Sequence, residues 1–451
     1  MTGLLIGLVL LCDHAGAVDL SSLQTLSLSD AQAVALDGNP SLQAAAERVE
    51  QARQRVIQAK GAYFPSVDTS GSYIASQLSE SGSASQEALA DMTGTSFDRS
   101  SEVYGVSLGA SWSLFEGFSR RFNRLRVEYG EEELLAAERD AGRLLLQAVA
   151  ESFYGVQLAR YNIIIGEANK AFNSQLLSEA EAAHGAGAGS LSVVLNFKVQ
   201  MNSAETDLLL ARKNQEIARL GLALLMGVES GQLPPSLRLA ELAMVEEDSF
   251  APLGTETLVE EALARRPDLQ RQEMALAVAE SSEGGAKGVF YPRLGLKGSL
   301  DGRRNDDMAF EGEDFGSTLS LNLSYNLYRG GSDRARLAET RSRKREQQRT
   351  LENKKNQVRT EVMQAAARLH QAREQFILQK KSEVLVRQTR DLVQKGYAAG
   401  QESLVRLNEV QRDLVSTQSR LALALVALHT NRHALDSAIG TSRDGEDDQS
   451  R

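Results

Sequence analysis

Leu319-Ser320-Leu321-Asn322-Leu323-Ser324-Tyr325-Asn326-Leu327 alternates apolar and polar side chains without a break. A period of two is the signature of a strand, with every apolar residue on one face and every Ser or Asn on the other. Val106-Ser107-Leu108-Gly109-Ala110-Ser111-Trp112-Ser113-Leu114 repeats the pattern. Each run has nine residues, close to the length of about 9–11 that a bilayer asks of a tilted strand. Weaker partners lie upstream: Val67, Thr69, Gly71 and Tyr73 for one run, Leu294, Leu296, Gly298 and Leu300 for the other. Strands are therefore expected over about 66–76, 104–115, 293–300 and 317–328. The stretches between partners, 77–102 and 301–316, are rich in Ser, Gly, Asp and Glu and read as exposed loops.

Alternation alone fits a half-buried soluble sheet as well as a membrane sheet. Three features favour the membrane. The polar face is Ser, Asn and Gly, suited to a wet lumen, and the other face is rich in Leu. Aromatics gather at one end of each strand pair, Tyr63, Phe64 and Phe115 in one and Phe290, Tyr291 and Tyr328 in the other, as in an interfacial girdle. The chain also opens with the apolar run Leu4 to Leu11, followed by Ala15-Gly16-Ala17, which reads as a secretory signal peptide over residues 1–17. No Lys or Arg precedes that run, and the single cysteine, Cys12, follows Leu11 where lipidation wants a small residue. No later stretch holds 18 consecutive apolar residues, so no membrane-spanning helix is expected.

The strand pairs belong to a tandem duplication. Ala59-Lys60-Gly61-Ala62-Tyr63-Phe64-Pro65 recurs 227 residues later as Ala286-Lys287-Gly288-Val289-Phe290-Tyr291-Pro292. Asn39-Pro40-Ser41-Leu42 and Arg266-Pro267-Asp268-Leu269 share that shift. Trp112-Ser113-Leu114-Phe115 matches Tyr325-Asn326-Leu327-Tyr328 at a shift of 213, and Gly185, Gly189, Ser192 and Gln200 match Gly396, Gly400, Ser403 and Gln411 at 211. The expected organisation is a first repeat over 18–227, a linker or equatorial segment over 228–256, a second repeat over 257–440 and a flexible acidic tail over 441–451.

Outside the strands the period is helical. Only 7 of 451 residues are proline and 5% are aromatic, which favours long uninterrupted helices. Residues 118–184 contain no proline. Phe197, Met201, Ala204, Leu208, Ala211, Gln215, Ala218, Leu222 and Leu225 follow a 4, 3 spacing, the seam of a coiled coil. Val358, Val362, Ala365, Leu369, Ala372 and Phe376 do the same, and Leu407, Leu414, Leu421, Leu428 and Leu435 recur every seven. Helical hairpins are expected over about 118–226 and 331–438, reversing at Gly185 to Gly189 and Gly396 to Gly400. These four glycines sit where antiparallel helices turn back and a positive φ costs glycine little. The net charge of −10 is a poor match to nucleic acid, whose phosphates need basic counter-charge.

Taken together these features resemble the TolC-type outer-membrane efflux protein family, over roughly residues 30–440. The matching pieces are the doubled aromatic-Pro before each first strand, Trp112-x-Leu114-Phe115-x-Gly117, Leu327-Tyr328-Arg329-Gly330-Gly331, Arg265-Arg266-Pro267-Asp268-Leu269 and the turn Gly396-x3-Gly400-x2-Ser403-Leu404. The resemblance implies a mainly α protein with a transmembrane β-barrel, in which tandem strand and hairpin units supply four strands per protomer. It implies a homotrimer sharing a twelve-stranded barrel, with a coiled-coil tunnel in the periplasm. Four strands alone leave two open edges, which lipid does not allow, so closure by further copies follows independently; that three copies do it is the family's number. The implied function is a passive outer-membrane exit duct of a tripartite export system, for small-molecule efflux or type I protein secretion. Its implied partners are a periplasmic adaptor, an inner-membrane pump or ABC transporter, and outer-membrane lipid. A secreted coiled-coil structural or adaptor protein is the alternative.

Motifs for catalysis are missing: no P-loop, no G-x-S-x-G and no nucleotide fingerprint occurs, so no enzyme and no cofactor are expected. His429 and His433 stand i, i+4, but no H-E-x-x-H surrounds them, and they read as a solvated helix face rather than a metal site. Arg120, Arg121, Arg124 and Arg126 follow one strand pair, and Arg334, Arg336, Arg341, Arg343, Lys344, Arg345, Arg349, Lys354, Lys355 and Arg359, interspersed with Glu339, Glu346 and Glu352, follow the other. These read as solvated faces with i, i+4 pairs; a weaker reading sets them beneath the membrane edge against anionic lipid. By the resemblance, Gly185, Gly189, Leu191, Ser192, Gly396, Gly400, Ser403 and Leu404 form an adaptor-contacting tip, and Tyr397, Glu402, Arg406 and Glu409 line the gate. Arg406 stands where the family often has an acid.

Overall fold

The structure is a computed structural model that describes residue 20 and residues 23–95, 97–242, 254–305 and 307–441. The expected leader, residues 243–253 of the connecting segment and the tail from 442 lie outside the described residues. In chain order the elements are β1 (Thr25–Leu26), α1 (Leu28–Gly38), α2 (Pro40–Gly61), β2 (Ser66–Gln77), α3 (Glu80–Thr93), β3 (Ser100–Glu116), α4 (Ser119–Gly185), α5 (Leu191–Leu225), β4 (Arg238–Leu239), α6 (Thr255–Arg265), α7 (Pro267–Ala286), β5 (Arg293–Asn305), β6 (Phe315–Ser324), α8 (Ser332–Ala398) and α9 (Leu404–Ile439). The chain divides into two compact units, one of residues 49–134 and 272–351, the other of residues 1–48, 135–271 and 352–451.

The first unit carries a four-stranded antiparallel sheet in the order β2-β3-β5-β6. Its register sets the apolar residues of neighbouring strands side by side. Trp112 pairs with Leu296 and Leu296 with Leu321; Thr69 pairs with Leu108 and Leu108 with Leu300. The apolar face is open: Leu108 is 51% exposed, and Leu319, Leu321 and Leu323 are 78%, 64% and 72% exposed. A soluble sheet would bury this face. The other face is bound together by small polar groups. Ser66 and Ser111 hydroxyls lie 2.8 Å apart, and Ser107 and Ser299 both donate to Asp301, at 2.6 Å each. At the helical end of the sheet Phe115 and Phe118, then Phe118 and Tyr291, meet edge to face at 5.3 and 5.6 Å between centroids, an arrangement aromatic pairs favour. The Trp112 indole donates to the Tyr63 carbonyl at 3.0 Å.

The strands leave the sheet through a doubled left-handed turn. Gly117 and Phe118 have φ of 61° and 66°; in the second repeat Gly330 and Gly331 have φ of 60° and 84°. At Gly117 a side chain is also excluded by space, since a Cβ would lie 2.2 Å from the Gly288 carbonyl oxygen. Three expectations are corrected here. The stretch expected as a loop over 77–102 contains α3, because Ser79 caps it by accepting from the Gly82 N–H and Gly94 ends it at φ 69°. β5 runs to Asn305, since its polar end Asp301 to Asn305 still pairs with Val103 to Ser107 of β3. β6 stops at Ser324 rather than at 328, because Ser324 faces Arg293, the first residue of its partner.

In the second unit the seam residues are inside: Phe197, Leu208, Leu222, Val358, Val362, Phe376, Leu407, Leu414, Leu428 and Leu435 are buried. The proline-free sequence lets α4 and α8 each run 67 residues, roughly 100 Å at about 1.5 Å per residue. Each repeat fastens its N-terminal helix elbow to the end of its returning hairpin helix. Before Pro40, the Asn39 amide donates to the Leu225 carbonyl at 2.8 Å; before Pro267, the Arg266 guanidinium donates to the Ala438 carbonyl at 3.2 Å. Arg266 is 3% exposed and grips Asp268 with two bonds of 2.9 and 2.7 Å, while Lys354 reaches the same carboxylate at 2.6 Å. The connecting segment is no bare tether: Leu233, Leu237, Leu239 and Leu242 are buried in the core, and β4 pairs parallel with β1.

Two predictions follow from these junctions. Gly330→Ala meets nothing within 4 Å and should cost only its left-handed strain, about 1–2 kcal/mol, whereas Gly117→Ala must push backbone aside and should abolish the cooperative melt. Circular dichroism melts of both variants check this. Burial would raise the Asp268 carboxyl, but the hydrogen bonds from Arg266 and Lys354 outweigh it and hold the group well below the usual carboxylate range. Its contribution is therefore full above an unfolded carboxyl's value of about 4 and is lost as pH falls below it. Asp268→Asn should cost about 3–5 kcal/mol near neutrality and flatten the acid side of the stability profile.

Candidate functional site

The expected tip residues meet at two helical turns in the second unit. α4 ends at Gly185, and Ala188 and Gly189 both donate to the Ala183 carbonyl, at 2.9 and 3.1 Å. Ser190 caps α5 by accepting from the Ser192 N–H at 3.2 Å. In the second turn Gln401 donates to the Gly396 carbonyl at 2.8 Å, and Ser403 caps α9 by accepting from the Arg406 N–H at 3.1 Å. Each cap satisfies one of the amides that the start of a helix leaves without a partner.

The glycines divide their work differently from the expectation. Positive φ falls on Gly187, at 73°, and Gly400, at 74°; Gly185, Gly189 and Gly396 are not left-handed. Gly189 and Gly396 instead allow close approach, since a Cβ would lie 2.9 Å from the His184 nitrogen in one and 2.7 Å from Glu402 Cγ in the other. The His184 ring nitrogen Nδ1 lies 2.9 Å from the Gly189 carbonyl oxygen and closes the first turn.

Behind the turns the two hairpins share a small core of Leu176, Leu177, Val194, Phe197, Val393, Leu407 and Val410. Phe197 is 1% exposed, and Tyr397 meets it edge to face at 6.4 Å. Tyr397, expected at the gate, is half-buried and acts here as a packing anchor. The other residues expected at the gate lie on the surface of the turn and first helical turns beyond it. Arg406 donates to Glu409 at 2.8 Å, both about half exposed, while Glu402 and Asp413 are exposed. Leu191 and Ser192 are exposed and Leu404 is partly buried.

Sequence reasoning missed the polar bonds between hairpins: Asn408 donates to Asn196 at 2.8 Å, and Gln411 donates to Asn169 at 2.9 Å. Only the match of Gln200 to Gln411 across the repeats hinted at them. His429 and His433 also differ from expectation. Rather than a solvated face, they are half-buried against Tyr154, with ring centroids 5.1 and 5.6 Å away, and the Tyr154 hydroxyl lies 3.3 Å from His433 Nε2.

A family model described as "Outer membrane efflux protein" matches residues 33–228 and 258–441. Cation efflux system protein CusC of Escherichia coli O6:H1 is 24% identical over 415 residues, covering 90% of this chain and 84% of that protein. Pyoverdine export outer membrane protein OpmQ of Pseudomonas aeruginosa is 26% identical over 413 residues, covering 89% and 81%. The crystal structure of the Campylobacter jejuni CmeC outer membrane channel aligns with a TM-score of 0.79 at 16% identity, covering 92% of this chain and 85% of that one, a likeness of fold.

The turn geometry separates two variants. Gly400→Val places a β-branched residue at φ 74° and should loosen the second turn, so that its amides exchange at least tenfold faster. Gly185→Ala, with nothing within 4 Å of the added carbon, should leave exchange unchanged. Hydrogen exchange read by mass spectrometry distinguishes them.

Proposed function

The chain belongs to the outer membrane efflux protein family, and from that premise we propose that it is the passive exit duct of a tripartite export system. The observation that carries this reading is the sheet with its apolar face turned outward, Leu319, Leu321 and Leu323 each more than 60% exposed. Lipid covers such a face, and the Ser- and Asn-rich face then lines water. Among the described residues β2 and β6 are edges, and a bilayer leaves no backbone edge unpaired. Further copies complete the barrel, three in all by the family resemblance. Each repeat, 18–227 and 257–440, supplies two strands and one hairpin.

No energy-coupling motif is present in the sequence, so transport energy comes from partners: an inner-membrane pump or ABC transporter, linked by a periplasmic adaptor that meets the turns at Gly185 to Ser192 and Gly396 to Leu404. The names of CusC and OpmQ, for cation efflux and pyoverdine export, support small-molecule efflux, and that of alkaline protease secretion protein AprF of Pseudomonas aeruginosa supports type I protein secretion. The gate lies on the second hairpin. With each residue tripled around a pore, Glu402, Glu409 and Asp413 repel their copies, and Arg406 offsets Glu409 through the 2.8 Å pair. One exposed pair of this kind contributes little by itself, but three act together.

Two outcomes test the proposal. Leu323→Arg should cost roughly 2–4 kcal/mol if the site lies at mid-bilayer and reduce recovery of assembled protein in outer membranes, while Asn322→Arg should not; equal loss from both contradicts the barrel. Arg406→Ala should raise single-channel conductance in planar bilayers, and Glu409→Gln should shift ion preference. If neither variant changes either property, the gate is elsewhere.

A further inference from the structure

In the unit that carries the sheet, the junction between strand ends and helices holds a cavity of about 430 Å³. Five guanidinium groups line it: Arg126 from α4, Arg293 at the start of β5, Arg329 between β6 and α8, and Arg336 and Arg343 from α8. One acid, Glu339, shares the lining, and it lies 3.6 Å from Arg343. Arg126 donates to Asn123 at 2.9 Å, a neutral partner. Arg293, Arg329 and Arg336 have no ion-pair partner among the described residues. The nearby acids of α7 are engaged elsewhere, Glu283 with Lys287, Arg341 and Lys344, and Glu280 with Lys344.

Small residues make room for this cluster. Ser281, Ser282 and Gly285 of α7 form the floor. Gly284, beside them, lets the Phe122 ring close on the helix, for a Cβ there would lie 2.3 Å from it. Phe122 and Val289 give the cavity an apolar side. Like charges converging on one concavity repel one another, and an oxyanion with several acceptor oxygens relieves that repulsion. Guanidinium forks match phosphate in particular, with two parallel bonds each.

We propose that this cavity binds a phosphate group, and that the phosphate is the headgroup of an anionic glycerophospholipid. Position favours lipid over soluble phosphate. Arg293 directly precedes Leu294, and Arg329 follows Leu327 and Tyr328, which are 87% and 82% exposed. The cavity therefore begins where the outward apolar strand face ends, the level of a headgroup layer; this choice of source rests on the membrane reading of the sheet. Arginines read in the sequence as a solvated helix face thus become one wall of a binding site, completed by Arg126 and Arg293 from other elements.

The test is native mass spectrometry of the protein purified in neutral detergent, offered phosphatidylglycerol and phosphatidylcholine of equal chain length, with a parallel calorimetric titration of inorganic phosphate. Wild type should retain phosphatidylglycerol at least tenfold over phosphatidylcholine. R329Q/R336Q should lose that preference, R329K/R336K should keep part of it, and R121Q, outside the cavity, should keep all of it, with unchanged melts showing that each variant is folded. Inorganic phosphate binding that R329Q/R336Q abolishes, without any lipid preference, supports the phosphate site and overturns its lipid source. Neither phosphate binding nor lipid preference, or equal retention in wild type and R329Q/R336Q, overturns the site. Recovery of the protein from the soluble fraction would contradict the membrane reading, while the phosphate titration would still decide the cavity.

Discussion

A four-stranded sheet that shows Leu on one side and two unpaired edges on the other axis cannot be satisfied by its own chain. Water penalises the exposed Leu108, Leu319, Leu321 and Leu323, and lipid penalises the open N–H and C=O groups along β2 and β6. Closure with further copies inside a bilayer removes both penalties at once. The rest of the chain serves that arrangement. The paired left-handed residues Gly117-Phe118 and Gly330-Gly331 turn each outgoing strand into a long helix, and the aromatic and arginine residues collect at that transition.

Duplication explains why the helical part holds together with so few aromatics. Each repeat solves the same problem in the same place: a residue before a proline reaches a carbonyl at the end of the returning hairpin helix, Asn39 to Leu225 and Arg266 to Ala438. The chemistry has diverged, since one uses a neutral amide and the other a buried guanidinium whose charge Asp268 and Glu361 balance. At the far end the hairpins are joined by a few large side chains, Phe197 and Tyr397 above all, and by the Asn196–Asn408 and Asn169–Gln411 bonds. With so small a core, this end has less burial holding it closed against local opening.

The strands were legible because period two leaves little choice; the pairing across the repeats, which sets Leu296 beside Trp112 as well as Leu321, was not. The hairpins were legible from the seven-residue Leu repeat. Helix α3 was hidden because its Ser- and Gly-rich composition outweighed the cap at Ser79. The left-handed Gly187 was hidden by four other glycines that looked equivalent in spacing. What sequence could not give was convergence from separate elements: the burial of His429 and His433 on Tyr154, and the gathering of Arg126, Arg293, Arg329, Arg336 and Arg343 around one cavity. Charges spaced along a helix look solvated until the neighbouring elements are in place.

The direct test of the central claim is the environment of adjacent residues on β6. In a Cys12→Ser background, Leu321→Cys and Asn322→Cys would each carry a fluorescent label in proteoliposomes, quenched in turn by brominated lipid and by aqueous iodide. An outward apolar face in a bilayer predicts lipid quenching at 321 and iodide quenching at 322. Iodide quenching of both positions, with none from the lipid, would contradict the account.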